Sequence, residues 1–340
     1  MSEDKGQNGA IDIMYYVSTP EFMGKWKEAK EGELLCRMEK SLGGSLPQFP
    51  SIDNMVQTMD EANVEQVFVT QTKMWSYRNK WMYMDTQLDE VTQYMKHSPG
   101  RFHGLAGYNP FRITESLAEI DLAVKEHDFK GVYVHIFGFD IPMNDAKMYP
   151  LYAKCVELDV PVSLQVGHVL EGMPSDCGRP MYLDRVACDF PELKILGAHT
   201  GWPWVEELIS MCYKWENLYF GIDAWMPKYL SKEAVHFMNS RMGRDRVVWG
   251  TNGLDWKTSL AQLSDLGLKD GVIEQVTRTN AQELFKLGEG GPRYAGRVAR
   301  SVSPRRHPGF VTHDRAQQGV DCGDSGESIP RDRGPAAQGR

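Results

Sequence analysis

His199 has the setting that points most directly to chemistry, in the run Ala198-His199-Thr200-Gly201-Trp202-Pro203-Trp204. An imidazole at a strand end that gives way at once to a helix start can titrate near neutrality and serve as general base or acid. A core histidine bonded to backbone is the other reading of the same pattern. Further groups able to bind or transfer protons stand at the ends of short apolar runs: Met14, Tyr16, His103, His135, Gln165, His168, Asp223, Asn252 and Asp255. His168 lies just past a strand end, where it can assist binding or proton transfer or simply face solvent. His135 alternates with Tyr133 on one face of its strand, so it joins a pocket only if that face lines the interior. Aromatic and Met residues crowd the same regions, in Tyr15-Tyr16, Trp202, Trp204, Trp225 and the stretch from Met74 to Met84. Such side chains usually pack cores or caps, but this concentration favours a flat aromatic or acyl substrate over a sugar phosphate. Arg78, Arg179 and Lys228 are available to hold a carboxylate or phosphate.

The elements that must position these groups follow a repeated pattern. Short β-branched runs occur at Ile11–Tyr15, Val67–Val69, Phe102–Ala106, Gly131–Phe137, Val162–Val166, Leu193–Ala198, Leu218–Ile222 and Val247–Gly250. Between them, Thr114–His127, Tyr149–Leu158, Trp204–Trp215 and Lys232–Met242 show helical spacing of apolar residues. Thr114 and Ser116 with Glu119 can cap the first of these. Eight strand–helix units, with no GxGxxG opening the first, predict an α/β fold of the (β/α)8 TIM-barrel type. In such a barrel the chemistry sits at the C-terminal ends of the strands, where the candidates above fall.

Three segments stand outside this pattern. Residues 1–10 read as a flexible N-terminus and 11–287 as the barrel. Within it, 23–59 is too long for a simple connecting helix, and its Gly43-Gly44 and Pro47 to Pro50 punctuation suggests a cap inserted after the first strand. From 291 to 340 there is no Lys and no Leu, and an Arg/Gly/Pro-rich composition of this kind predicts a disordered tail. The 340 residues carry a net charge of -8, which argues against a nucleic-acid or anionic-membrane partner. The start lacks the pattern of a secretory signal, no apolar stretch reaches membrane-spanning length, and the six cysteines show no regular framework. The expectation is a cytoplasmic protein with reduced thiols and a small-molecule partner, with a homo-oligomer as an open option.

Four stretches taken together carry a specific resemblance: Gln165-Val166-Gly167-His168, His199-Thr200-Gly201-Trp202-Pro203-Trp204, Trp249-Gly250-Thr251-Asn252, and Asn280 to Leu287. In order and spacing the chain resembles the amidohydrolase-related (amidohydrolase 2) barrels. That family includes γ-resorcylate and aminocarboxymuconate-semialdehyde decarboxylases, and the nearest pattern is that of its aromatic β-ketoacyl-CoA hydrolase branch. The resemblance implies that His199 matches the family's catalytic histidine. It also places the family's metal ligands on Met14, Tyr16, Gln165 and Asn252, all four of which depart from it. A thioether, a phenol and two amides would hold Zn²⁺ or Mn²⁺ poorly, so the expectation is a site with no metal and no cofactor. His135, His168 and His199 with Asp255 are acceptable as a relocated ligand set in composition, although no spacing demands it.

On this resemblance the expected activity is metal-independent hydrolysis of a C–C bond in an aromatic β-keto acyl substrate, a CoA thioester being one form of it. His199 is the expected general acid/base, with Gln165 and Asn252 polarising the ketone oxygen. Tyr16, His135, His168, Trp202, Asp223 and Asp255 are the expected substrate-binding residues. The alternatives are a non-oxidative decarboxylase of a hydroxyaromatic acid and a catalytically inactive ligand-binding barrel.

Overall fold

The computed structural model of the chain describes residues 9–16 and 49–288. It divides into two units, Met1–Tyr294 and Ala295–Arg340, and every described residue lies in the first. The expected N-terminal arm, most of the expected cap and the expected tail therefore lie outside the described residues.

Eight parallel strands form one sheet: β1 (Ala10–Tyr15), β2 (Val64–Thr70), β5 (Phe102–Gly107), β6 (Gly131–Val134), β7 (Val162–Gln165), β8 (Ile195–Ala198), β9 (Leu218–Gly221) and β10 (Val247–Val248). Each pairs with the next in chain order, as right-handed βα units require. The ring is drawn together where β1 meets the chain after β10: the Ile13 amide donates to the Trp249 carbonyl (3.3 Å) and the Asn252 amide to the Met14 carbonyl (2.8 Å). The expected TIM barrel is the observed fold.

The period-two alternation of each strand divides the core in two. Ile11, Ile13, Phe68, Leu105, Tyr133, Leu196, Tyr219 and Val248 pack inside the barrel. Val67, Val69, Val132, Val134, Val162, Leu164, Ile195 and Val247 face the surrounding helices. Tyr133 lies on the inner face, which settles the question left open for His135. One end of the barrel is plugged by Ala281, Leu284 and Phe285, with the Phe285 ring 4.1 Å from Phe68.

The surrounding helices include α1 (Ile52–Glu61), α2 (Leu88–His97), α3 (Ile113–His127), α4 (Tyr149–Leu158), α5 (Leu183–Asp189), α6 (Val205–Lys214), α7 (Lys232–Met238), α8 (Trp256–Ser264) and α9 (Asn280–Phe285). Ser51 caps α1 by accepting from the Asn54 amide. The stretch from Ile52 is thus the ordinary helix before β2 rather than cap, and Phe49 ahead of it packs on Trp256. The cap expected for α3 is not made. Ser116 instead accepts from the Asn109 amide, and Glu119 accepts from Gln71 and pairs with Lys73 (3.2 Å). A hairpin, β3 (Lys73–Trp75) with β4 (Met82–Asp85), follows β2. Its strands carry part of the aromatic and Met run, which gave no strand signal by alternation. Among the described residues Cys155, Cys177, Cys188 and Cys212 are free thiols, and no helix is long and apolar enough to cross a membrane.

Candidate active site

The C-terminal ends of β1, β6, β7, β8, β9 and β10 bring polar groups to one mouth of the barrel. His199 follows β8 directly. Its Nδ1 lies 2.5 Å from Asp223 Oδ2, and its backbone amide donates to Asp223 Oδ1 at 3.0 Å. A carboxylate only accepts, so Nδ1 carries a proton, and in the neutral ring the lone pair is on Nε2. Asp223 is fully buried, and the absence of a side chain at Gly221 makes room for it. A Cβ at Gly221 would lie 2.6 Å from Asp223 Oδ1 and 3.1 Å from the Ala198 Cα, so only glycine allows the carboxylate to turn back to His199. Asp223, expected to bind substrate, is instead the residue that orients His199.

Backbone strain concentrates at these strand ends. Left-handed φ values occur at His199 (71°), Thr200 (63°), Ala224 (64°) and Asn252 (57°). Such conformations cost energy for residues with a Cβ, most of all for β-branched Thr, and persist where surrounding contacts enforce them. Counting alternation from Ile195 on the outer face, His199 would also point outward; the turn at φ 71° redirects it.

The neighbouring polar groups form a chain. Tyr16 and Tyr133 hydroxyls are 3.1 Å apart, and the Tyr133 hydroxyl donates to Gln165 Oε1 at 2.9 Å. Burial pushes both phenols well up, so they stay neutral hydrogen-bonding groups. His135, at the end of β6, is 1% exposed, and neither ring nitrogen has a hydrogen-bond partner. Its Nε2 stands 3.8 Å from Oε1 of Glu171, a buried carboxyl on the loop after β7. Burial, and then the charge of His199, push His135 down to about 3, so it is neutral. Burial pushes the Glu171 carboxyl up. Asn252 presents a buried Oδ1 with no partner.

An aromatic wall stands beside this cluster. The His168 ring meets Trp202 edge-on at 4.6 Å, and Trp202 lies 5.6 Å from Trp225. Trp202 is 45% exposed, a large apolar surface left open at the rim. The loop is tied down by the His168 amide, which donates to the Trp202 carbonyl at 2.7 Å. A Cβ at Gly167 would lie 2.5 Å from that same carbonyl oxygen, so the approach requires glycine.

Several expected residues are placed elsewhere. Asp255 is exposed and caps α8, accepting from the Thr258 amide (2.8 Å) and hydroxyl (2.5 Å), so it neither lines the mouth nor completes a ligand set. His103 points outward to Gln66 Oε1 (3.0 Å). Asp12 is structural: its carboxylate accepts from the Met14 and Thr251 amides (both 3.0 Å), the Thr251 hydroxyl (2.5 Å) and Trp256 Nε1 (2.8 Å). It thus pins β1 to the chain after β10, although burial pushes it up to about 7. Arg179 is engaged with Glu207 (2.6 Å). Glu171 and Tyr133 were not singled out from the sequence. An acidic residue three positions past His168 in a βα loop was the available signal for Glu171, whereas a strand tyrosine reads as ordinary core. A separate cavity of about 750 Å³ lies on the flank by α2 and α3; Lys73, Asp85, Arg112 and Glu119 line it, and none of the mouth residues does.

Solved structures show the same architecture. A TIM-barrel protein from Bordetella bronchiseptica superposes with a TM-score of 0.69 at 22% identity, over 82% of this chain and 98% of that one. A dihydroxybenzoic acid decarboxylase from Polaromonas, with bound manganese and 2-nitroresorcinol, gives 0.60 at 19% identity, over 85% and 100%. A 5-carboxyvanillate decarboxylase from Novosphingobium aromaticivorans, also with manganese, gives 0.59 at 18% identity, over 84% and 99%. No curated protein matches the chain's sequence.

The bound manganese corrects the expectation of a cofactor-free site: replaced ligand positions do not license that conclusion on a fold whose solved decarboxylases carry a metal. The donors described in this chain nevertheless do not fit that ion in the way its chemistry asks. Mn²⁺ favours carboxylate, carbonyl and water oxygens. Here the strand ends offer Met14, a phenol and an amide bonded to Tyr133, and Asn252. Of these four positions, Asn252 Oδ1 is a carbonyl oxygen without a hydrogen-bond partner, which alone does not make a ligand set. Among the described residues no three His, Cys, Asp or Glu side chains converge as a ligand group. The amidohydrolase family model matches residues 45–287, which takes in every strand after β1 and the helices α1 to α9, and the chain belongs to the amidohydrolase family.

Proposed function

We propose that the barrel mouth cleaves a carbon–carbon bond of an aromatic acid, as a non-oxidative decarboxylase of a hydroxyaromatic acid. The observation that carries this reading is the His199–Asp223 pair, with Nδ1 held at 2.5 Å and Nε2 left as a base; the clustered rings of His168, Trp202 and Trp225 follow the ends of the same neighbouring strands. A phenolic hydroxyl on the substrate gives Nε2 a proton, and the electron density released into the ring makes the carbon bearing the carboxylate basic. Protonation at that carbon and departure of CO₂ then restore the aromatic ring. The resulting imidazolium faces the buried Asp223 carboxylate, which stabilises it without taking its proton, and it returns that proton to the product phenolate once CO₂ has left. Tyr16, Tyr133 and Gln165 supply neutral hydrogen bonds to the substrate's polar groups, and Trp202 supplies a face for its ring. Support also comes from the dihydroxybenzoate and carboxyvanillate decarboxylases that share this fold.

The test is CO₂ release from a panel of hydroxybenzoic acids by the wild-type chain and by His199→Asn. The expected result is turnover that falls ~100-fold or more in the variant. Equal turnover by both proteins removes His199 from the reaction. If an aromatic β-keto thioester instead gives a free aromatic acid with no CO₂, the hydrolytic reading takes its place.

A further inference from the structure

The buried pair His135 and Glu171 has no part in the chemistry assigned to His199, and its placement calls for one. His135 is 1% exposed, with both ring nitrogens unpartnered, a costly arrangement unless a ligand completes it. The Glu171 side chain is 8% exposed, and its Oε1 stands 3.8 Å from His135 Nε2, beyond hydrogen-bond length. Glu171 reaches this position from the 167–175 loop, which the His168–Trp202 backbone bond and the Gly167–Gly178 backbone bond (2.8 Å) hold over the mouth.

We propose that Glu171 is the acid that delivers the proton to the substrate carbon, and that His135 is the positioning residue that aims its carboxyl. This rests on the decarboxylase reading above. In the step, the Glu171 O–H bond breaks and a C–H bond forms at the ring carbon. The bond to the carboxylate then breaks, its electron pair returns to the ring, and CO₂ leaves. Glu171 is left as carboxylate and takes a proton from water through the loop, so one proton is consumed for each CO₂ released. His199 and Glu171 thus divide the work: one accepts the phenolic proton and returns it to the product phenolate oxygen once CO₂ has left, the other gives a proton to carbon.

The groups facing Glu171 favour its protonated form. His135 beside it is neutral, and Tyr16 and Tyr133 are neutral phenols that feel its charge. Asp223 lies across the mouth behind His199. The cationic form of His199 is the group whose charge draws Glu171 down, so the imidazolium formed early in the reaction makes Glu171 a stronger acid when its proton is needed. Arg78, on the turn of the β3–β4 hairpin, stands 3.9 Å from the place a Cβ would take at Gly172 and is exposed, where solvent screens it.

Two measurements on Glu171→Gln test this, and they fail separately. In turnover, the variant is expected to lose ~100-fold or more in kcat with KM within about threefold, and to lose the high-pH limb of the kcat profile. His135→Asn is expected to shift that limb while keeping part of the rate. In thermal unfolding, which needs no substrate, Glu171→Gln is expected to gain stability over wild type as pH rises. Burial raises the folded carboxyl's pKa, so the unfolded chain ionises first and wild type loses stability as pH rises through the folded value; Gln removes that loss. Undiminished turnover with an unchanged pH limb overturns the donor role and leaves the decarboxylase reading standing. A pH-independent stability difference shows Glu171 ionised at rest and overturns the proposal even if no acid in the panel is decarboxylated.

Discussion

Replacing Asp223 by Asn tests the mouth at the atom on which its chemistry turns. The substitution keeps the shape and exchanges one oxygen for an amide nitrogen. If the new side-chain amide keeps its oxygen toward the His199 backbone N–H, its NH₂ group faces Nδ1 and must donate to it, forcing the ring proton onto Nε2. The opposite amide orientation preserves the original tautomer but sets NH₂ against the His199 backbone N–H, leaving a buried donor unsatisfied. That costs about 1–3 kcal/mol, which favours the inverted tautomer by roughly 5- to 150-fold. Only the minor tautomer keeps a basic Nε2, and it has also lost the carboxylate that stabilises the imidazolium. The two losses multiply, so turnover is expected to fall by roughly 10²- to 10⁴-fold, with the upper end matching the effect of the same change in a serine protease. Nitrogen NMR of the His199 ring reads the tautomer without any substrate, and CO₂ release reads the rate. A variant that keeps its proton on Nδ1 and turns over like wild type would refute the argument.

Two further outcomes follow from the same geometry. Thr251→Val removes the hydroxyl that donates to Asp12 Oδ2 at 2.5 Å and loosens the tie between β1 and the chain after β10. Urea unfolding at pH 8 should show a loss of about 1.5–3 kcal/mol, the range for a hydrogen bond to a charged group; a loss under about half a kcal/mol would deny Asp12 its role in closing the barrel. For His135 the sign is opposite to that of Glu171. Its folded value is about 3, so between pH 6.5 and 3 the unfolded chain binds a proton that the folded chain does not, and stability falls as pH falls. His135→Leu should therefore flatten the acid-side slope by about 1.4 kcal/mol per pH unit, measured by unfolding from pH 6.5 to 4, and a parallel slope would mean that His135 is charged in the fold.

The barrel was legible in the chain because each strand carries its own signal. The alternation Ile11, Ile13 against Asp12, or Tyr133 against Val132 and Val134, needs no distant partner to be recognised, and eight repeats of it leave few architectures. The candidates His199, Gln165 and Asn252 were legible for the same reason, since a barrel places strand ends at one mouth. What a linear pattern could not supply was direction and pairing. Alternation sends His199 outward, and only the enforced φ of 71° turns it. Asp223 and Asp255 look alike as acidic residues past strand ends. One is buried 2.5 Å from an imidazole, and the other caps a helix in solvent, because burial depends on what packs against each from far along the chain. Asp12 is only a polar position in the alternation of the first strand until Thr251 and Trp256, 239 and 244 residues away, are seen to occupy its oxygens. Glu171 gave only the faint signal of an acidic residue in a βα loop: its meaning comes from His135, at the end of another strand, at 3.8 Å. The sequence by itself determined the fold and which strand ends hold polar groups, since these follow from local periodicity. Tertiary structure alone decided which of those groups face one another, because proton transfer depends on distances between residues that local periodicity does not relate.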